Sequence, residues 1–297
     1  MSSERDRAVG SVMGLAVGDA LGAPTRFRRA HEVTATALAP ASTGTAATAM
    51  ARNLWLSLTA TGGDLDTGDV LTRHLGWLET SPPDLDTLTR RVLAWAAEGV
   101  RDPAHRYLQE RGPELGAGNG SVGYCAPLGV AYAHRPGALT EAAPALSSIT
   151  HWDERCRTAC LAVALTTAAL VRGEPPERSV RAALAAIEHR VGGEELEYLV
   201  GGAGIGRPID GPDREFVFFA AGAALRVAGE AQGFERGLRS TVELGGDTST
   251  NAAVAGALLG ALHGVDAVPP GWFSALAEGQ ALRREAEAFA AVAAGRG

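Results

Sequence analysis

The chain is 297 residues long and 46% hydrophobic but only 5% aromatic, so a large core has to be assembled mainly from Ala, Leu and Val. Ala and Leu are the strongest helix formers, and small side chains let helices approach closely. The formal net charge of −7 speaks against generic nucleic-acid binding, which relies on basic patches, and every Lys+Arg cation is an Arg because the chain contains no lysine.

Helical periodicity dominates in chain order. Residues 1–7 are charged and lack the basic end, apolar run and cleavage site of a signal peptide. Val9, Val12, Met13, Leu15, Ala16 and Ala20 form a broad apolar face that stops near Gly22 and Pro24. After an irregular stretch at 30–44, Met50, Leu54, Leu56 and Leu58 fit a second helix over 48–61, closed by Gly62 and Gly63. Segments 69–78 and 85–97 read as two more, with Pro82 and Pro83 between them. The glycine-rich stretch 112–123 interrupts regular helix. Helices are expected again at 128–133, 154–172, 178–189, 194–200, 213–229, 233–243 and 252–263, and one or two fill 272–294.

No stretch alternates apolar and polar residues convincingly enough for a strand. The expected fold class is therefore all-α, a compact helical bundle forming a single domain over 1–297, without internal repeat or linker. That length would also hold two average domains. Segments 30–44 and 200–212 have the length of functional loops and are candidates for lining or covering a cleft. The apolar runs 159–171 and 252–262 are too short, or too polar at their flanks, to span a bilayer. Cys125, Cys156 and Cys160 are too few and too badly spaced for a zinc cage or a disulfide framework. A cytoplasmic, reducing setting without membrane contact is expected.

One polar run stands apart: Gly245-Gly246-Asp247-Thr248-Ser249-Thr250-Asn251 sets a carboxylate and three hydroxyls at the entrance of the small-residue helix 252–263. Carboxylate and hydroxyl oxygens are ligands for hard divalent cations. Ser, Thr and Asp also cap helix N-termini, which is the commoner use of such a run by itself. Three other segments change that balance. They are Gly10-Ser11-Val12-Met13-Gly14-Leu15-Ala16-Val17-Gly18-Asp19-Ala20-Leu21-Gly22-Ala23-Pro24, then Gly118-Asn119-Gly120-Ser121 followed by Ala126-Pro127-Leu128-Gly129, then Thr150-His151-Trp152. With the closing run, and in this order, they resemble the ADP-ribosylglycohydrolase family. The first and last segments are specific; the middle two are weak alone.

The resemblance breaks at the acids. The family carries Thr-Asp-Asp-Thr before its second helix, where this chain reads Thr45-Ala46-Ala47-Thr48. Its closing motif has a second Asp where this chain has Ser249, and a Glu after the opening Pro where this chain has Arg26. Of the acidic ligands that the resemblance implies, Asp247 remains, with Thr45, Ser249 and Thr250 as neutral companions. Magnesium or manganese is therefore expected to bind weakly or not at all, because such sites depend on carboxylate charge. The adjacent alanines read either as a deliberate replacement of two aspartates or as a natural subgroup that has lost metal chemistry.

The resemblance implies an ADP-ribosyl-acceptor hydrolase that cuts the C1′ glycosidic bond of an ADP-ribosyl group with the help of metal ions. Such a carbon departs through an oxocarbenium-like state that needs nearby negative charge and a positioned water. Ala46 and Ala47, at the catalytic Asp positions, supply neither, so the chain is expected to be impaired or inactive, with Asp247 the surviving acid. The alternative is a non-catalytic ADP-ribose-binding or structural protein on the same scaffold. Gly118, Asn119, Gly120 and Ser121 are the expected cradle for a diphosphate, since glycines let backbone N–H groups approach anionic oxygens. His151 is expected beside the nucleotide. Tyr124 and Trp152 either stack on adenine or belong to the core. Asp19 is expected to brace the site helices by hydrogen bonds, and Arg26 to turn to solvent beside Arg28 and Arg29.

Overall fold

The computed structural model describes residues 2–34, 42–202 and 206–295. Among them, seventeen α-helices follow one another without a strand, as the composition predicts. In chain order they begin with α1 (Glu4–Gly22), α2 (Ala46–Ala60), α3 (Thr67–Leu78), α4 (Thr87–Ala97), α5 (Pro103–Arg111) and α6 (Pro113–Gly116). Next come α7 (Gly120–Tyr124), α8 (Ala126–Ala131), α9 (Leu139–Ser148), α10 (Glu154–Val171), α11 (Pro176–Ala185) and α12 (Gly193–Val200). The last are α13 (Val217–Gly229), α14 (Phe234–Val242), α15 (Thr248–His263), α16 (Pro270–Ala275) and α17 (Gly279–Ala294).

The pairing of α1 with α15 organises the rest. Every fourth residue of α1 from Gly10 to Gly22 is glycine, and these four share one face. A Cβ on Gly10, Gly14, Gly18 or Gly22 would lie 2.4, 2.1, 2.0 or 2.2 Å from the carbonyl oxygen of Gly260, Gly256, Ala252 or Thr248 respectively. The two helices thus run antiparallel with their backbones touching. One consequence is decisive for the site. The end of α1 that carries Asp19 and the start of α15 that carries Asp247 emerge side by side. Thr248 ties them, its hydroxyl donating to the Gly22 carbonyl at 2.7 Å.

Helices α10, α13 and α14 pack on the other faces of α15, while α2 and α17 cover α1. Both α1 and α15 are buried along almost their whole length, which is why their sequences are apolar all round rather than striped. The larger side chains fill the space around this small-residue pair, with Trp55, Tyr124, Phe218 and Phe289 fully buried. Tyr124 is thereby a core residue, its hydroxyl on the Leu146 carbonyl at 3.4 Å. Cys125, Cys156 and Cys160 are free thiols inside the core.

Two helices escape the sequence reading. In α5, only Ala104 and Tyr107 are buried, too thin a stripe to register as a periodic face. In α9, Pro144 signals a break, yet burial of Leu139, Ala143 and Leu146 holds the helix through it. The glycine-rich stretch is not wholly irregular either, since it holds the short turns α6 and α7. The expected helix 213–229 starts later, at Val217, leaving Glu215 in the preceding turn. Of the two long loops, residues 35–41 and 203–205 lie outside the described residues, as do residues 296 and 297 of the tail. No helix among the described residues is long and apolar enough to cross a membrane.

Candidate functional site

Two cavities meet above the α1–α15 end. One, about 460 Å³, is lined by Arg26, Phe27, Gly44, Thr45, Asp84 and Asp86 among others. The other, about 360 Å³, is lined by Tyr107, Arg111, Gly118, Asn119, Arg207 and Phe216 among others. Asp86, Thr87 and Glu215 border both, so the two form one continuous cleft. Their volumes fall in the range of about 300–1,000 Å³ common for small-molecule sites.

Asp247 lies directly beneath the junction and is fully buried. It precedes α15 as its N-cap residue, but its side chain makes no capping bond. Its carboxylate is instead held from both cavities. Arg26 Nε donates to Oδ1 at 3.0 Å, Asn119 Nδ2 donates to Oδ2 at 2.9 Å, and Ser249 Oγ donates to Oδ1 at 3.1 Å. The expectation that Arg26 turns to solvent is therefore corrected. Its side chain is only 17% exposed, because a buried carboxylate needs a counter-charge and hydrogen bonds. Positive φ at Phe27 (68°) and the Phe27 N–H bond to the Gly246 carbonyl, at 2.7 Å, turn the chain so that Arg26 points inward. The guanidinium lies 4.4 Å over the Phe27 ring, its Nη1 donates to the Asp84 carbonyl at 3.0 Å, and its Nη2 is 3.8 Å from Glu215.

Asp19 braces the site as the sequence suggests. It is fully buried and accepts four bonds: the Thr45 and Thr48 amides at 2.6 and 3.0 Å, and their hydroxyls at 2.7 and 2.6 Å. Burial pushes its carboxyl pKa up while these four donors pull it down. The effect is to clamp the start of α2 to α1. Ala46 and Ala47 follow at once, the first half-buried and the second buried. A Cβ on Gly123 would sit 3.0 Å from Thr250 Cγ2 and 3.6 Å from Ala47 Cβ, so the starts of α2 and α15 meet against α7. The structure thus gathers Thr45, Ala46, Ala47, Asp247, Ser249 and Thr250 at one end of the bundle.

The glycine-rich segment is divided. Gly118 and Asn119 line the cleft. Ser121 turns inward, fully buried, within reach of Ser147 Oγ at 3.0 Å and Cys160 Sγ at 3.5 Å. A Cβ on Gly120 would strike His151 Cε1 at 2.7 Å and Thr89 Oγ1 at 2.9 Å, so that glycine is needed for what lies behind the loop. His151 is that backing. It is buried, its Nδ1 paired with Thr150 Oγ1 at 2.8 Å, and its Nε2 has no hydrogen-bond partner. Burial pushes its pKa down to about 4 against the nearby charges of Asp86 and Asp153, so the ring is neutral. Trp152 packs on His105 and under Arg157, and Asp153 caps α10 through the Arg155 amide at 2.9 Å.

Asp86 and Glu215 are cleft acids that sequence reasoning did not single out. Asp86 caps α4 through the Thr89 amide at 2.8 Å, which disguises it as an ordinary helix start. Glu215 was hidden inside an expected helix. Partial burial and then the charges of Asp247 and Asp86 raise its pKa, against the opposing pull of Arg26 and Arg214.

A divalent cation does not fit these residues well. Both oxygens of Asp247 are engaged and its charge is balanced by Arg26, while Asp19 is enclosed by four donors. Among the described residues, no three His, Cys, Asp or Glu side chains converge to hold a metal.

The sequence model of a family described as ADP-ribosylglycohydrolase matches residues 1–297. The chain is 30% identical over 310 residues to the ADP-ribosyl-[dinitrogen reductase] glycohydrolase of Rhodospirillum rubrum, covering 98% of each protein. It is 26% identical over 300 residues to the ADP-ribosylarginine hydrolase Tri1 of Pseudomonas putida (strain GB-1), covering 95% of this chain and 77% of that relative. A solved structure titled ADP-ribosylglycohydrolase-related protein complex superposes with a TM-score of 0.78 at 30% identity, covering 99% of this chain and all of the other.

Proposed function

The chain belongs to the ADP-ribosylglycohydrolase family, and from that premise we propose that its cleft receives an ADP-ribosyl group that it holds but hydrolyses poorly. The observation that carries this reading is the junction of the two cavities. An open cleft of nucleotide-binding size remains, while beneath it the one carboxylate left from the metal set is paired with Arg26. A structural protein whose pocket is filled by its own side chains fits this open cleft less well.

In the proposed pose the diphosphate lies along the Gly118–Asn119 wall, with Arg111 and Arg207 on the same cavity. Backbone N–H groups and guanidinium donors suit phosphate oxygens. The ribose end then points toward Thr45 and Asp247. Cleavage at C1′ requires negative charge beside the developing oxocarbenium and activation of a water. Ala46 and Ala47 provide neither, and the Asp247–Arg26 pair is neutral overall. Magnesium or manganese, which in the family would orient the ribose, lacks the carboxylates to hold it here.

The test is calorimetric titration with ADP-ribose beside an assay for release of ADP-ribose from an ADP-ribosylated protein. Binding with negligible release is expected. If neither this chain nor its Ala46→Asp/Ala47→Asp variant binds ADP-ribose, the ligand assignment fails; rapid release by the unaltered chain overturns the impaired chemistry.

A further inference from the structure

We infer that Arg26 is the resident cation of this site, a guanidinium held against Asp247 that excludes a divalent metal ion and contacts the ligand in its place. Four contacts fix it. Nε is on Asp247 at 3.0 Å, Nη1 is on the Asp84 carbonyl at 3.0 Å, Nη2 is 3.8 Å from Glu215, and the guanidinium lies over Phe27 at 4.4 Å. The pair is deep, with side-chain exposures of 17% and 0%. A metal ion approaching Asp247 has to break a charge-assisted bond inside a poorly solvated pocket, and it arrives beside a fixed positive charge. The alanines at 46 and 47 weaken metal binding by removing negative charge. Arg26 opposes it separately, by adding positive charge and engaging Asp247 Oδ1.

The same guanidinium has a second face. It borders the cavity shared with Thr45 and Glu215, where its Nη2 lies 3.8 Å from the Glu215 carboxylate, an ion pair beyond hydrogen-bond distance. A planar donor edge at that place suits a vicinal diol or a phosphate oxygen. This part rests on the proposed ADP-ribosyl ligand; the exclusion of metal does not.

Manganese binding, read by electron paramagnetic resonance without nucleotide, tests the exclusion. The Ala46→Asp/Ala47→Asp protein is compared with the same protein carrying Arg26→Gln as well. Removing Arg26 is expected to raise manganese affinity by at least about tenfold. Equal affinity in the two overturns the inference. Should the triple variant not fold, the Ala46→Asp/Ala47→Asp protein, which has the carboxylates back and keeps Arg26, decides by thermal melting. A manganese-induced rise in its melting temperature refutes the exclusion, and a melting temperature indifferent to manganese and to EDTA supports it.

The contact with ligand is tested by ADP-ribose titration in EDTA. Arg26→Gln is expected to lose about tenfold in affinity, with part of it restored in Arg26→Lys. Affinity that survives Arg26→Gln, or that requires added magnesium in the unaltered chain, overturns the contact. Failure of the unaltered chain to bind ADP-ribose at all condemns this contact, and the ligand assignment with it if the Ala46→Asp/Ala47→Asp variant also fails to bind, whereas the manganese arms still judge the exclusion.

Discussion

Replacing Gly18 by Ala should destabilise the fold even though alanine is the better helix former. The added Cβ would lie 2.0 Å from the Ala252 carbonyl oxygen and 2.7 Å from its carbon. Ordinary contact needs more than 3 Å, so α1 and α15 must separate by about 1 Å or more. Both clashing groups are helix backbone and neither can rotate away. Overpacking of a rigid core costs about 1–3 kcal/mol, and backbone against backbone belongs at the upper end. Against this, Gly to Ala inside a helix gains about 1 kcal/mol, leaving a net loss of about 2 kcal/mol. For a chain of this size that corresponds to a fall in melting temperature of roughly 3 °C. The control is Gly76→Ala in α3, where a Cβ meets nothing within 4 Å. The same substitution there should stabilise by up to about 1 kcal/mol. Urea unfolding followed by far-ultraviolet circular dichroism measures both. If Gly18→Ala is as stable as the parent, the backbone contact between α1 and α15 is not what organises this bundle.

Three further outcomes follow from one core histidine and two residues of the cleft region. His74 is buried, and burial pushes its pKa down to about 4. The unfolded chain therefore takes up a proton at a higher pH than the native one, and stability is lost as pH falls from the ordinary histidine value of 6.5 towards about 4. That loss is on the order of 3 kcal/mol; unfolding of His74→Phe across that range should show a shallower decline, and an unchanged slope would refute the assignment. Glu215 has a raised pKa, so its contribution runs the other way, present at low pH and lost as pH rises through the raised value. Glu215→Gln should flatten that part of the stability profile and strengthen ADP-ribose binding at neutral pH, by removing a negative charge from the cleft; weaker binding in calorimetry would count against the proposed pose. Gly120→Val should lower ADP-ribose affinity and melting temperature together, because the added side chain meets His151 and Thr89 and displaces Gly118 and Asn119. Loss of affinity with unchanged stability would mean instead that Gly120 itself faces the ligand.

The sequence by itself determined that the protein is helical and which residues along the chain are candidates for its site. Ala and Leu abundance with scarce aromatics allows close-packed helices, and apolar periodicity places most of them. The fourfold spacing of Gly10, Gly14, Gly18 and Gly22 is equally legible, since residues four apart share a helix face. The missing carboxylates at 46 and 47 were visible as letters. Tertiary structure alone decided what those glycines touch, because a stripe of small residues does not name its partner. It also decided the fate of Arg26. A charged residue four positions past a helix end, followed by Arg28 and Arg29, reads locally as solvated surface. Only the fold brings it 3.0 Å from Asp247 across 221 residues of chain. The same holds for Glu215 and Asp86, which border the same cleft only once the fold brings the start of α4 near the turn before α13. A buried charge must be met by another, and which one meets it is decided by distances in space that residue order does not contain.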